Sequence, residues 1–224
     1  MGQDYWTDLS KILLKSNIKR LDISDNSITG TSGTRLSGLR YFFRTYVHEQ
    51  CQAIKVRMSN IHAGSIGAVC EGLGHGSDVE HIDLSDNRIG VAASNIHTHT
   101  GVETLFHALS CTEHVRVIKL ARNSLRDEEI EYVARGINGM ATLEVLDLQG
   151  NYCHDIGMGY LKTSLHSLGS FTPGELYGLK FLNLSQNPIG DIGNAIYLLL
   201  VLLEFVQLVL YFILDISTLC FRQV

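Results

Sequence analysis

At 224 residues the chain is long enough for one or two ordinary domains or for a single repetitive array. Its formal charge is −5 and it contains no Lys/Arg-rich run, which excludes nucleic acid as the default partner, since phosphate binding needs clustered cations. Only two prolines occur and no Pro/Ser-rich linker interrupts the chain, so no internal linker separates folded parts.

Residues 1–17 read as an N-terminal helical cap. Leu9, Ile12, Leu13 and Leu14 form its apolar side, and Ser16 or Asn17 ends it. The opening from Met1 to Ser10 is polar and acidic, unlike an apolar secretory run. Gly2 does not make a myristoylation site, because Trp6 stands where that motif needs Ser or Thr. The five cysteines, at 51, 70, 111, 153 and 220, are odd in number and scattered. They read as reduced thiols, which points to a cytoplasmic protein.

From residue 18 one pattern recurs: three apolar residues at its first, fourth and sixth places, and Asn at its ninth. Ile18, Leu21 and Ile23 precede Asn26; Val79, Ile82 and Leu84 precede Asn87; Val115, Ile118 and Leu120 precede Asn123. Leu143, Leu146 and Leu148 precede Asn151, and Leu179, Leu182 and Leu184 precede Asn187. A degenerate copy, Cys51, Ile54 and Val56, carries Ser59 in the Asn place. The ninth positions 26, 59, 87, 123, 151 and 187 are spaced by 33, 28, 36, 28 and 36 residues. Two residues beyond each stands another apolar residue: Ile28, Ile61, Ile89, Leu125, Cys153 and Ile189.

Alternation within each copy predicts a short strand whose fourth and sixth residues point inward and whose third, fifth and seventh point outward. Helical spacing lies between copies. Ile66, Val69, Cys70 and Leu73 share one helix face, as do Val102, Leu105, Ala108 and Leu109, and Ile130, Val133, Ala134 and Ile137. Glycines near the helix starts, such as Gly64, Gly101 and Gly157, suit tight turns. No single unit of strand, turn, helix and loop buries its apolar face alone, so stacking must do it.

This arrangement resembles the ribonuclease-inhibitor-like branch of leucine-rich-repeat proteins over about residues 18–195. The resemblance implies an α/β fold: a right-handed curved solenoid of six repeats, with parallel strands on the concave face and helices outside. The steps of 28 match that branch, and the steps of 36 carry about eight extra residues each, placed near Ala92–His99 and Leu168–Glu175 as surface loops. It implies that Asn26, Asn87, Asn123, Asn151 and Asn187 form a structural ladder by satisfying backbone groups at each turn. Ser59 does part of this, so the second turn should be looser.

The last part, 196–224, is expected to be a hydrophobic C-terminal helix and tail. Asp191 to Ile196 begins like a repeat helix, but Ile196 to Leu214 holds only Glu204 and Gln207 among apolar residues. A helix apolar on all sides is buried or membrane-spanning. Three readings stay open for residues 196–214: a membrane helix or anchor, a core helix without covering repeats, or a partner-docking helix.

The outward positions are where binding is expected. The third column reads Arg20, Ala53, His81, Val117, Val145 and Phe181, ending in an apolar strip. Either a protein partner or a folded-over loop such as 168–175 would bury it. Arg57, Lys119, Arg122 and Gln149 surround the strip. The fifth column reads Asp22, Lys55, Asp83, Lys119, Asp147 and Asn183, an alternation expected to neutralise itself as a solvated ladder.

No catalytic residue, metal site or cofactor is expected. His97, His99, His107 and Cys111 lack the fixed spacing of a zinc site. The run from Glu71 to Gly76 follows a helix and reads as its end, not as a phosphate loop. Asn183-Leu184-Ser185 matches a glycosylation acceptor but lies inside a strand. The expected function is a non-catalytic scaffold that binds a protein through its concave face. Two alternatives remain: a GTPase-activating protein of the Ran type, which shares the fold the resemblance implies, and a membrane-tethered receptor or adaptor.

Overall fold

The structure is a computed structural model that describes residues 5–26, 28, 33–90, 101–169 and 179–196. Six strands of three residues each form one parallel sheet in chain order: β1 (Arg20–Asp22), β2 (Ala53–Lys55), β3 (His81–Asp83), β4 (Val117–Lys119), β5 (Val145–Asp147) and β6 (Phe181–Asn183). The register follows the sequence repeat residue for residue, so that Leu21, Ile54, Ile82, Ile118, Leu146 and Leu182 are successive partners. Backbone bonds continue past the strand ends, as from Leu120 N–H to the Asp147 carbonyl and from Leu148 N–H to that of Asn183, both at 2.8 Å.

The helices are α1 (Tyr5–Leu13), α2 (Gly33–Phe42), α3 (His48–Gln50), α4 (Ile66–Cys70), α5 (Gly101–Ser110), α6 (Asp127–Ile137) and α7 (Asp155–Gly169), with a π-helical turn, Phe43–Val47, between α2 and α3. Residues 191–196 are helical again. Ile130, Val133, Ala134 and Ile137 of α6 are buried, as are Val102, Leu105 and Leu109 of α5 and Ile66 and Val69 of α4. They join the fourth and sixth strand residues in one continuous core. At about 1.5–3 kcal/mol for each large aliphatic side chain, this shared core is the main stabilising term. Cys51 and Cys153 are buried free thiols, and burial pushes them up to about 11 and about 12.

Asn87, Asn123, Asn151 and Asn187 each hold two repeats together, while Asn26 bonds within its own. The Asn87 amide donates to the carbonyls of Val56 (2.7 Å), in the preceding repeat, and Leu84 (2.8 Å), in its own, while its Oδ1 accepts from Ser59 N–H and Ile61 N–H. Asn151 does the same with Leu120, Leu148, Asn123 and Leu125, and Asn187 with Leu148, Leu184 and Cys153. Ser59 is too short to reach back, and its hydroxyl donates to the Arg57 carbonyl. Met58 there adopts the same left-handed φ (50°) as its counterparts. Ser24 Oγ, in the preceding repeat, accepts Arg57 N–H at 3.0 Å, the bond that a fifth-place Asp or Asn accepts in four other repeats.

A second ladder runs along the helix starts. Asp127 Oδ1 accepts from His154 N–H (2.7 Å) and Gly157 N–H (3.1 Å), and Asp155 Oδ1 accepts from Gly190 N–H (2.7 Å) and Gly193 N–H (2.9 Å). Close approach makes glycine necessary: a Cβ at Gly157 or at Gly193 would lie 2.6 Å from the bridging carboxylate oxygen.

The cap differs in part from the sequence expectation. Leu13 is buried and Leu9 and Leu14 pack on the core, but Ile12 points outward, and Trp6 instead meets Phe42 with ring centroids 5.2 Å apart. The Gln50 side chain ties cap to sheet by donating to the carbonyls of Leu13, Ser16 and Ile18. The helical stretch of residues 33–50 was not anticipated, although Leu39, Phe42, Phe43, Tyr46 and Val47 occupy helical spacing and are all buried. Helix α7 runs on through Leu168 and Gly169, where a loop was expected. The remainder of that expected loop, the one near Ala92–His99, and the expected apolar helix beyond Ile196 lie outside the described residues. No helix among the described residues is long and apolar enough to cross a membrane.

Candidate partner-binding face

One face of the sheet is filled by the helices, and the third, fifth and seventh residues of each repeat stand on the other. Register places His81, Val117, Val145 and Phe181 in one unbroken row across β3 to β6. Neighbouring strands in such a sheet are about 4.8 Å apart, so the three apolar side chains form a contiguous strip. Val117, Val145 and Phe181 are each half-buried, and His81 is exposed beside Val117.

The fifth column does more than balance charge. Asp22, Asp83, Asp147 and Asn183 each accept, at 3.0–3.1 Å, the N–H of the residue two places on, which starts the turn out of the strand. The Ser24 contact, through side chain and backbone, holds the Asp22 carboxyl below its usual range. Lys55 lies 4.0 Å from Asp22, but Lys119, between Asp83 and Asp147 in register, forms no ion pair among the described residues. The expected self-neutralising ladder is therefore incomplete.

The eighth residue of every repeat is left-handed: Asp25, Met58, Asp86, Arg122, Gly150 and Gln186 have φ between 50° and 64°. For an L-residue this conformation costs about 1–2 kcal/mol, which the Asn ladder offsets. The conformation sends Asp86 between two guanidinium groups. Arg122 grips it through Nε and through Nη2 at 2.9 Å, and Arg57 reaches it through Nη2 at 2.9 Å. Arg122, then Arg57, hold the Asp86 carboxyl below its ordinary value, and both arginines are raised in turn, chiefly by hydrogen bonding to Asp86. Arg57 Nε is shielded from solvent and has no hydrogen-bond partner among the described residues; the Asp83 carboxylate lies 4.0 Å away. At the other margin Glu144 is bridged by Arg116 (2.7 Å) and Lys180 (3.2 Å).

The structure thus brings Val117, Val145, Phe181, His81, Lys119 and Gln149 together on adjacent strands and turns. Arg57 and Arg122 join each other through Asp86, which sequence reasoning left out. The signal was present, since Asp86 immediately precedes Asn87, but the left-handed turn that aims it is a backbone property. A second apolar group was also missed: Tyr152, Ile156, Tyr160 and Ile192 are exposed at 52%, 65%, 36% and 68%. Ile156 and Ile192 occupy the same place in two Asp-Ile-Gly helix starts, where Glu128 stands one repeat earlier. Among the described residues no group of three or more His, Cys, Asp or Glu is placed to hold a metal ion. His97 and His99 lie outside those residues.

Two stretches of the chain match family models described as leucine-rich repeats, residues 17–39 and 179–193. No curated protein sequence matches the chain. Among solved structures it is similar to actin-binding site 2 of leiomodin-1, at 12% identity and a TM-score of 0.50, over 73% of this chain and 89% of that one. It is also similar to an internalin from Listeria monocytogenes (18% identity, 83% of this chain and 47% of that one, TM-score 0.44). A third likeness is to the tropomodulin C-terminal domain of Caenorhabditis elegans (10% identity, 89% and 91%, TM-score 0.43). At these identities the likeness concerns the fold alone.

Proposed function

We propose that this chain, which carries leucine-rich repeats on a parallel α/β solenoid, is a non-catalytic module that binds a protein on the sheet face away from its helices. Val117, Val145 and Phe181 form the apolar centre, and His81, Lys119, Arg122, Arg57 and Gln149 supply polar contacts around it. The observation that carries this reading is the half-exposed apolar row, held in register beside a fifth column that is polar throughout. Apolar side chains aligned on a rigid sheet are ordered before binding, so covering them loses little entropy. Helix-bearing repeats stepped by 28 residues favour the ribonuclease-inhibitor-like branch. The cytoplasm is the proposed compartment, in keeping with the buried free thiols.

Affinity capture with the intact chain, beside a Phe181→Asp, Val145→Asp variant of unchanged circular dichroism, tests the surface. The variant should lose the specific partners by at least about tenfold, since buried anchors contribute about 2 kcal/mol or more each. Retention of every partner would show the surface to be wrongly chosen.

A membrane-tethered form of the same module is the second reading, favoured by the composition of residues 196–214. Membrane fractionation of the full chain against a 1–195 version separates the two. Recovery of both in the soluble fraction removes the tether.

A further inference from the structure

We infer that the segment seated on this face is an extended acidic peptide with at least one large apolar side chain; this rests on the sheet-face reading above and specifies the partner's chemistry. The apolar row lies wholly in the last three repeats. There the outward and marginal positions carry four cations, Arg116, Lys119, Arg122 and Lys180, against two carboxylates, Glu144 and Asp147. This is a local surplus of positive charge in a chain of net charge −5. The first three repeats invert the balance, with Lys19, Arg20, Lys55 and Arg57 against Asp22, Asp25, Glu80, Asp83 and Asp86.

Most carboxylate oxygens near the row are already engaged. Glu144 is held by Arg116 and Lys180, Asp86 by Arg57 and Arg122, and Asp147 Oδ1 by Gln149 N–H. The unspent donor is Lys119, exposed and free of ion pairs among the described residues, directly beside the row. A partner that covers Val117, Val145 and Phe181 also removes water from Lys119 and Arg122. A cationic partner would leave those charges opposed and desolvated, whereas carboxylates complete them. The row from β3 to β6 spans three steps of about 4.8 Å, crossed by roughly four or five extended residues, so a short linear peptide suffices.

Selection of phage-displayed random octapeptides on the full chain is the test, with the winners synthesised and titrated. The inference expects winners of net negative charge carrying an aromatic or large aliphatic residue. Their binding should weaken at least about tenfold with Lys119→Glu and again at high salt. Exchanging a peptide Asp for Lys should restore binding to Lys119→Glu, a rescue that no general loss of structure would produce. Neutral or basic winners, winners indifferent to Lys119→Glu, or no enrichment over bare support would overturn the inference. If binding also survives Phe181→Asp, the sheet-face reading falls with it; if Phe181→Asp abolishes binding while Lys119→Glu does not, only the acidic character falls.

Discussion

The residues that matter most to this fold are polar ones placed where the backbone needs them. Asn151 is buried and joins the carbonyls of Leu120 and Leu148 to the amides of Asn123 and Leu125, across two repeats. Asn151→Ala removes all of these bonds at once and leaves buried backbone groups unpaired. It should cost about 3 kcal/mol and lower the melting temperature by roughly 6–12 °C. A loss under about 1 kcal/mol in urea unfolding would show that water or relaxation replaces the ladder. Asp86 acts through charge. Its folded pKa lies below the ordinary 3.8 because Arg122 and Arg57 bond to its ionised form. As pH falls the unfolded chain therefore takes the proton first. The contribution is full above about pH 5 and disappears as pH drops through the folded value. Unfolding followed from neutral pH to about pH 3 should show Asp86→Asn less stable than the native chain when neutral, with the gap closing in acid. A gap independent of pH would place the effect in packing and not in the ion pairs.

At the scale of the element, two glycines of α7 separate helix propensity from packing. Gly159 faces open space, with no atom within 4 Å of where its Cβ would stand. Gly159→Ala should stabilise by up to about 1 kcal/mol, the ordinary gain in a helix interior. Gly157→Ala has the same propensity gain, yet its Cβ would lie 2.6 Å from Asp127 Oδ1 and 2.9 Å from Cys153 Sγ. The Asp ladder between α6 and α7 must then shift, and the net effect should be destabilising by about 1–3 kcal/mol. Thermal melts of the pair should move in opposite directions, and equal upward shifts would mean that the ladder carries no weight. Helix α6 shows another use of an acid: Glu129 is buried and accepts Arg126 N–H at 2.9 Å, closing a first-turn cap.

Across the whole molecule, each repeat touches chiefly its neighbours, so damage should remain local before it becomes global. Leu182 occupies the inward row of β6 beside Leu146. Leu182→Ala should cost about 2–5 kcal/mol locally. Hydrogen exchange should quicken in residues 179–196, while β2 and β3 keep their protection. Uniform loss of protection from β1 to β6 would instead make the solenoid one cooperative unit.

Much of this was legible in the sequence because the repeat has a fixed register. Apolar residues at the first, fourth and sixth places, closed at the ninth by Asn or once by Ser59, specified six parallel strands and the residues facing the core. A strand's side chains alternate by geometry alone, so the row of Val117, Val145 and Phe181 followed from the pattern. Folding alone decided what depends on neighbours distant in sequence. The left-handed eighth residue aims Asp86 at Arg57 and Arg122. Asp127 and Asp155 reach amides about thirty residues away. Trp6, not Ile12, covers the first repeat, because the angle at which α1 meets Phe42 is set by packing. Periodicity is a local property and survives in one dimension; the aim of a side chain across a turn is a property of three.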